Sequence, residues 1–536
     1  MTTVAGTNMA SLDGDMLAVS PDTSVVDSNT AADFEGASTT NESIPIINGH
    51  KFIGTLAING ELPTTNGGAH DVTERSAHVQ DAAKELVHTD VVVVGAGFSG
   101  ISAIYRLRKL GMKIRAFEAG SDFGGVWYWN RYPGARVDSE TPFYQLNIPE
   151  IWQTWNFKQR FPDHVELRDY CAHIDEVLGL RKDVEFDSRV NSVTYDNHTA
   201  RWTVKTDNGR IATCKYVILA TGLLHQRFIP DFPGLDSFEG EVHHSGFWPD
   251  NLSVKGKKVG LIGAGATAVQ ITQELGKQAD QLTVFLRRPS YCLPMRQRCW
   301  SELENLSWKP FLERLFDIGR LSRTGFPTSS PACGVFDVTR EERESWFEKL
   351  WERGAFNFLM GNYNDVLLDR KANREIYNFW QKKTAERLKD PAKRAIMAPK
   401  DPPYFFGTKR NPLEHDYYEV LDRSNVAVID LNKTPLKTFQ PKGMTMSDDT
   451  LHEFDMVVLA TGFDSFTGSC VLCDAFMKSS IDLLFSLCNM GLKNKHGVDM
   501  KEVWCDGVCT YLGMMTAGFP NMFMTYSPQG KLSFPL

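Results

Sequence analysis

At 536 residues, with 42% hydrophobic and 23% charged side chains, the chain has a globular composition and room for about three domains. Its formal charge of -8, with basic residues only in short clusters such as Lys255, Lys257, Lys258 and Arg287, Arg288, argues against a nucleic-acid surface. No apolar run approaches the roughly 18 residues of a spanning helix, and the first 50 residues hold no Lys or Arg, which excludes secretory and mitochondrial presequences.

The expected location is therefore the cytoplasm, with no membrane or obligate protein partner. Ten cysteines lie scattered, five of them from Cys470 to Cys509, and Cys470-x-x-Cys473 has no second ligand pair. They read as free thiols, and no metal site is expected.

From Met1 to about His88 the chain is rich in Ser, Thr, Asn, Gly and Asp without a period of 2 or 3.6, so residues 1–88 are expected to form a disordered extension. At Asp90-Val-Val-Val-Val-Gly95 a β-branched run begins, of the kind buried on both faces of a parallel sheet. Helical spacing follows from Phe98 to Leu110, then a second strand from Lys113 to Glu118. This βαβ order recurs at Lys258–Ile262, Gly263–Gly276 and Gln281–Arg288. Between about Arg296 and Pro402 aromatic, Leu, Glu and Lys residues recur at spacings of three and four, which predicts a helical insertion. Strands return at Val426–Asp430 and Asp455–Ala460.

The fold class is thus α/β, with two Rossmann-like dinucleotide-binding domains and a helical insertion. The expected boundaries are 89–225 for the first part of an FAD domain, 226–295 for an NADP domain, 296–402 for the insertion and 403–536 for the return to both.

The first glycine-rich turn is Gly95-Ala-Gly97-Phe-Ser-Gly100. Gly95 permits the tight turn, Gly97 the approach of a pyrophosphate and Gly100 the packing of helix on strand, while Glu118 is placed to bind a ribose. The second turn, Gly263-Ala-Gly265-Ala-Thr-Ala268, has alanine at the position that needs only a small side chain. Its second strand ends in Arg287 and Arg288 rather than an acid, which favours the 2'-phosphate of NADP. Two unequal sites predict a flavoprotein with tightly held FAD and exchangeable NADPH. Val217-Ile-Leu-Ala-Thr-Gly222 and Val457-Val-Leu-Ala-Thr-Gly462 read as strands ending where the chain crosses between domains.

Phe238-Glu-Gly240-Glu-Val-His-His244-Ser-Gly-Phe-Trp248-Pro249 is the most specific string, expected by chance in about one of ten thousand chains of this composition. It resembles the fingerprint of the type I Baeyer–Villiger monooxygenases of fungal secondary metabolism, which insert one oxygen atom beside a ketone carbonyl. The resemblance runs from about Thr89 to Gln529. It implies that Val126, Trp127, Tyr128, Trp129, Tyr144 and Val190 lie against FAD and that Arg136, Val137 and Asp138 sit where flavin and nicotinamide meet. Thr267, Ala268, Gln270 and Lys409 become NADPH contacts, and His244 a conformational residue. Phe406-Gly-Thr-Lys409-Arg410 is similar to the family's catalytic stretch, which makes Arg410 the cation beside the flavin peroxide and Asp138 its orienting partner.

The implied reaction takes a ketone and molecular oxygen to an ester or lactone, with a polycyclic terpenoid or polyketide as the expected substrate. The alternatives are an N- or S-oxygenating flavin monooxygenase and a catalytically impaired nucleotide-binding remnant; a disulfide reductase lacks its Cys pair after the first unit. Three features depart from the family pattern. Ser469 to Asn489 intervene as an insert, Ser527 replaces an expected glycine, and the chain stops at Leu536 where relatives continue. An impaired form, with apolar surface exposed on the last flavin-domain strand, is the expectation that follows.

Overall fold

The computed structural model describes residues 86–322, 325–463, 490–525, 527 and 529. The insert Ser469 to Asn489, the tail from Gly530 and almost all of the N-terminal extension lie outside the described residues. The fold begins slightly earlier than expected: Leu86–His88 is already a strand, paired in parallel with Ile211–Thr213, so the segment assigned to the extension ends before His88.

Two five-stranded, all-parallel sheets organise the chain. The first has the order Met522–Met524, Tyr216–Leu219, Val91–Val94, Ile114–Phe117, Val184–Glu185. The second runs Val426–Asp430, Gln281–Leu286, Lys258–Ile262, Met456–Leu459, Glu241–His244. Each glycine-rich turn leaves the strand beside which the strand order reverses, the place where an open α/β sheet binds ligands.

Side-chain alternation explains why these strands read as unbroken apolar runs. In the first sheet Val91 and Val93 face the helices Phe98–Lys109 and His164–Leu178, whereas Val92 and Val94 face a mixed sheet built from 190–214. In the second, Val259 and Leu261 share one core with Trp380, Tyr377 and Phe358 of the helical insertion. Its other face, with Ile262, Phe285 and Val457, packs on the antiparallel strands Leu436–Gln440, Gly443–Met446 and Leu451–Glu453. Both faces of both sheets are therefore covered.

The insertion contains the expected helices, among them Glu302–Trp308, Arg340–Arg353 and Arg370–Ala385. Ser301 with Glu304, and Thr339 with Glu342, form capping boxes that fix where two of them start. The strand Met522–Met524 does not show the expected apolar exposure: Met522 and Met524 are buried. Ser527 is also buried, its hydroxyl donating to the Gly513 carbonyl. Seven described cysteines are free, and among the described residues no helix is long and apolar enough to cross a membrane.

Candidate active site

The two glycine-rich turns are built alike. Gly95 and Gly263 have φ of +104° and +144°, and a Cβ on either would stand 2.4 Å from the carbonyl oxygen of Ala220 or Ala460. Those alanines belong to the two Ala-Thr-Gly strings, whose amides bond back to Val94 O at 2.8 Å and Ile262 O at 2.9 Å. The pairing shows why each sheet carries both motifs: the glycine exists so that a neighbouring strand can end against it. Gly100 closes the first turn, since a Cβ there would meet Gly95 O at 1.9 Å. Gly97 and Gly265 are the N-caps of the two helices that follow, with φ,ψ of -75°,-172° and -74°,-176°, and no side chain caps either helix.

Beyond the first turn lies a cavity of about 620 Å3. Gly95, Gly97, Glu118, Val126, Trp127, Trp129, Tyr144, Val190 and Arg410 all line it. Glu118 is buried, with Oε2 accepting from Ala96 N at 2.7 Å and Oε1 from Gly120 N at 2.8 Å. Burial pushes its carboxyl above the usual value, against the pull of those amides. Each oxygen keeps a lone pair for a ribose hydroxyl. Trp127 donates from Nε1 to the Tyr144 hydroxyl at 2.9 Å, and burial drives that phenol upward, so it stays neutral. Uncapped helix amides, a glycine cradle and an acid one strand away suit a dinucleotide of FAD's kind.

Arg410 reaches this cavity from a different part of the chain. Its Nη2 donates to both oxygens of Asp138, at 2.6 and 2.5 Å. The stretch carrying it is held at both ends by the helical insertion. Asn373 donates to Phe406 O and accepts from Phe406 N, each at 2.9 Å, while buried Glu414 accepts from Arg387 Nη1 and Nη2 at 2.5 and 3.0 Å. Between them Asn411 donates to Tyr291 O at 2.7 Å.

Arg287 and Arg288 are exposed at the end of their strand. Lys409 lies close enough that both arginines, together with burial as the larger cause, lower its pKa. The Lys409 ammonium also sits 4.6 Å from the centre of the Tyr404 ring. Three cations meeting beside the second glycine turn suit a phosphate monoester.

Other expected residues lie outside the cavity lining. Tyr128 packs under Gly120 and accepts from Ser121 N at 3.1 Å, bracing the loop that carries Glu118. Arg136 donates to Phe161 O at 3.3 Å, and Val137 is buried. Gln270 donates to Arg136 O at 3.0 Å and accepts from the Tyr132 hydroxyl at 2.8 Å. Thr267 lies within reach of the same hydroxyl, whose pKa burial pushes up to about 12. Ala268 is buried in the helix packing. These residues join the second glycine helix to the 132–138 segment.

His244 ends the edge strand of the second sheet and is buried. Its Nδ1 accepts from Gly246 N at 3.0 Å, so Nε2 carries the proton and donates to Gly462 O, also at 3.0 Å. The same carbonyl accepts from Phe228 N at 3.0 Å. The fingerprint histidine thus clasps the two chain segments that cross between the sheets, and both its ring nitrogens are satisfied by backbone groups. Sequence reasoning missed Arg189 and His225, which also line the cavity and bond to one another at 2.9 Å; the only signal was their place beside Val190 and Ala-Thr-Gly222.

The pyridine nucleotide-disulphide oxidoreductase family matches residues 89–307. The chain is 42% identical over 452 residues to the FAD-binding monooxygenase acrE of Aspergillus aculeatus, covering 84% of this chain and 73% of that protein. It is 38% identical over 446 residues to cyclopentanone 1,2-monooxygenase of Comamonas sp., covering 83% and 78%. The structure of OTEMO in complex with FAD and NADP superposes with a TM-score of 0.76 at 33% identity, covering 83% and 80%. The chain belongs to the Baeyer–Villiger family of FAD- and NADPH-dependent monooxygenases.

Proposed function

We propose that the enzyme converts a polycyclic ketone, of terpenoid or polyketide type, to an ester or lactone, with Arg410 and Asp138 at the reacting centre. The observation that carries this reading is that Arg410, ion-paired with Asp138, lies on the wall of the same cavity as Gly97, Trp129 and Tyr144. The ring-ketone class is supported by the relative named for its action on cyclopentanone. The seven described cysteines are free, which fits a reducing cytosol.

When bound, FAD supplies oxygen activation and NADPH the hydride that drives it. Arg410 offers a guanidinium cation to the negative charge developing on the reacting oxygens. Asp138 holds that guanidinium in place by accepting from Nη2. Trp127, Trp129 and Tyr144 wall the cavity with aromatic surface and limit the entry of water. Gly97, Glu118, Val126 and Val190 hold FAD; Gly265, Arg287, Arg288 and Lys409 hold NADPH, the last three at its 2'-phosphate. Tyr128, Arg136, Val137, Thr267, Ala268 and Gln270 support these groups by the contacts described above.

A panel of cyclic ketones, amines and sulfides with NADPH and oxygen, read by product mass spectrometry, tests the proposal. Ring-expanded lactones from fused-ring ketones are expected. N-oxides or sulfoxides as the sole products would replace the ketone reading with heteroatom oxygenation.

A further inference from the structure

Arg410, Glu118, Ser188, Arg189 and Val190 all line the cavity. The segment 186–190 runs beside the Glu118 loop: Ser188 N donates to Glu118 O at 2.8 Å and Asp187 N to Gly120 O at 3.0 Å. Arg189 is the next residue, lines the cavity and lies close enough to Glu118 for its charge to act on that carboxyl. A ribose on Glu118 would therefore bring the adenosine half of a dinucleotide against Arg189.

The guanidinium is not free to drift. Arg189 Nη1 donates to His225 Nε2 at 2.9 Å, and His225 lies three residues past Gly222 on the segment crossing to the second sheet. The imidazole rests in an aromatic wall, 6.0 Å from the Trp129 ring and 6.2 Å from Phe247. Trp129 belongs to the flavin segment and Phe247 to the fingerprint; their rings are 4.9 Å apart, and Phe247 N donates to Trp129 O at 3.4 Å. Arg227 stacks over Phe247 at 4.7 Å. One histidine thus touches the cavity wall, the crossing segment and the fingerprint.

We propose that Arg189, braced by His225, is an anchoring residue for the adenosine half of FAD, and that this brace makes cofactor retention sensitive to acid. The inference rests on FAD occupying the cavity beside Gly95. The guanidinium pairs with the electron-rich adenosine and pyrophosphate groups, while the neutral imidazole gives it a fixed acceptor. An imidazolium has no acceptor to offer and repels the guanidinium. The charged groups acting on the ring are Arg189 and Arg227, both cations, and with burial as the larger cause they hold its pKa below the ordinary histidine value. The brace is therefore intact at neutral pH and lost as the pH falls below the histidine range.

The test measures FAD dissociation from the purified holoenzyme by recovery of flavin fluorescence, with the melting temperature of each apo form as a folding control. Arg189→Ala is expected to raise the FAD Kd fivefold or more with an unchanged apo melting temperature, and Arg189→Lys to recover part of the loss. A change below fivefold overturns the inference; if Gly95→Ala in parallel loses FAD, the site assignment stands without it, and if Gly95→Ala also retains FAD, the assignment of the cavity falls too. His225→Gln, which keeps an acceptor but does not titrate, is expected to abolish the rise in FAD release between pH 7.5 and 5.5. The same rise in wild type and His225→Gln would overturn the acid-sensitive part.

Discussion

Arg410 and Asp138 are 272 residues apart in sequence, yet one guanidinium nitrogen bonds both carboxylate oxygens of the aspartate. The Arg410 side chain is 40% exposed. An ion pair that open is worth about 0–1 kcal/mol to the fold, so its contribution to stability does not explain a contact that draws two distant chain segments together.

Arg410→Ala should therefore leave the urea midpoint nearly unchanged while lowering kcat for ester formation by about 100-fold or more. NADPH oxidation should continue, releasing hydrogen peroxide in place of product. Asp138→Asn should give a smaller loss, because the cation remains but its aim does not. Stopped-flow flavin absorbance and peroxide assays read both variants, and ester formation at the wild-type rate in Arg410→Ala would remove it from the chemistry.

The cluster of Arg287, Arg288 and Lys409 predicts selection for NADPH over NADH by 10-fold or more, since one hydrogen bond to a charged group contributes roughly 1.5–3 kcal/mol. Arg288→Ala should raise KM for NADPH with little effect on kcat, and leave KM for NADH unchanged. Steady-state kinetics with both cofactors decide; an equal rise in both KM values would show that the arginine does not read the phosphate.

What could be read in the sequence were local patterns with one structural solution. Gly95, Gly97 and Gly100 after four valines, or Gly263 and Gly265 after Val-Gly-Leu-Ile, leave a strand only one way to turn into a helix. Ala220 and Ala460 were legible as strand ends, but their contact with Gly95 and Gly263 was not, because it joins residues distant in the chain. The three-stranded sheet at 436–453 covers the second sheet with short, partly exposed strands of weak alternation, such as Leu436–Gln440. The fingerprint string was recognisable, but that its Glu241–His244 stretch is an edge strand follows from pairing with Met456–Leu459. Arg189 and His225 escaped because neither sits in a periodic or glycine-marked string.

The matched turns make a paired prediction. Gly95→Ala puts a Cβ 2.4 Å from Ala220 O at φ +104°, and Gly263→Ala does the same against Ala460 O at φ +144°. Each combines backbone strain of about 1–3 kcal/mol with a clash against backbone that cannot step aside. Gly95→Ala should lose FAD on purification, whereas Gly263→Ala should retain FAD and lose NADPH affinity. Flavin content by absorbance and NADPH titration separate the two; retention of both cofactors by both variants would refute the assignment of the turns.

His244 yields the clearest dependence on pH. In the fold its Nδ1 accepts from the buried Gly246 amide and its protonated Nε2 serves Gly462, an arrangement open only to the neutral ring. Burial is the largest cause holding its pKa below the ordinary histidine value. The unfolded chain therefore takes up this proton first, so the stability His244 confers is fully present above a pH of about 6.5 and is lost progressively as the pH falls from there through the lower value of the folded state. His244→Ala strands the Gly246 amide and should cost about 1–3 kcal/mol at pH 7.5. At pH 5.5 the gap between wild type and variant should narrow, because the wild type must then either stay neutral at a cost or protonate and lose the Gly246 bond. Urea denaturation of both proteins at pH 7.5, 6.5 and 5.5 measures the gap directly, with the other histidines cancelling in the difference. A gap that stays constant across this range would mean that His244 does not titrate between folded and unfolded states, and that its clasp on Gly462 is not held by a neutral ring.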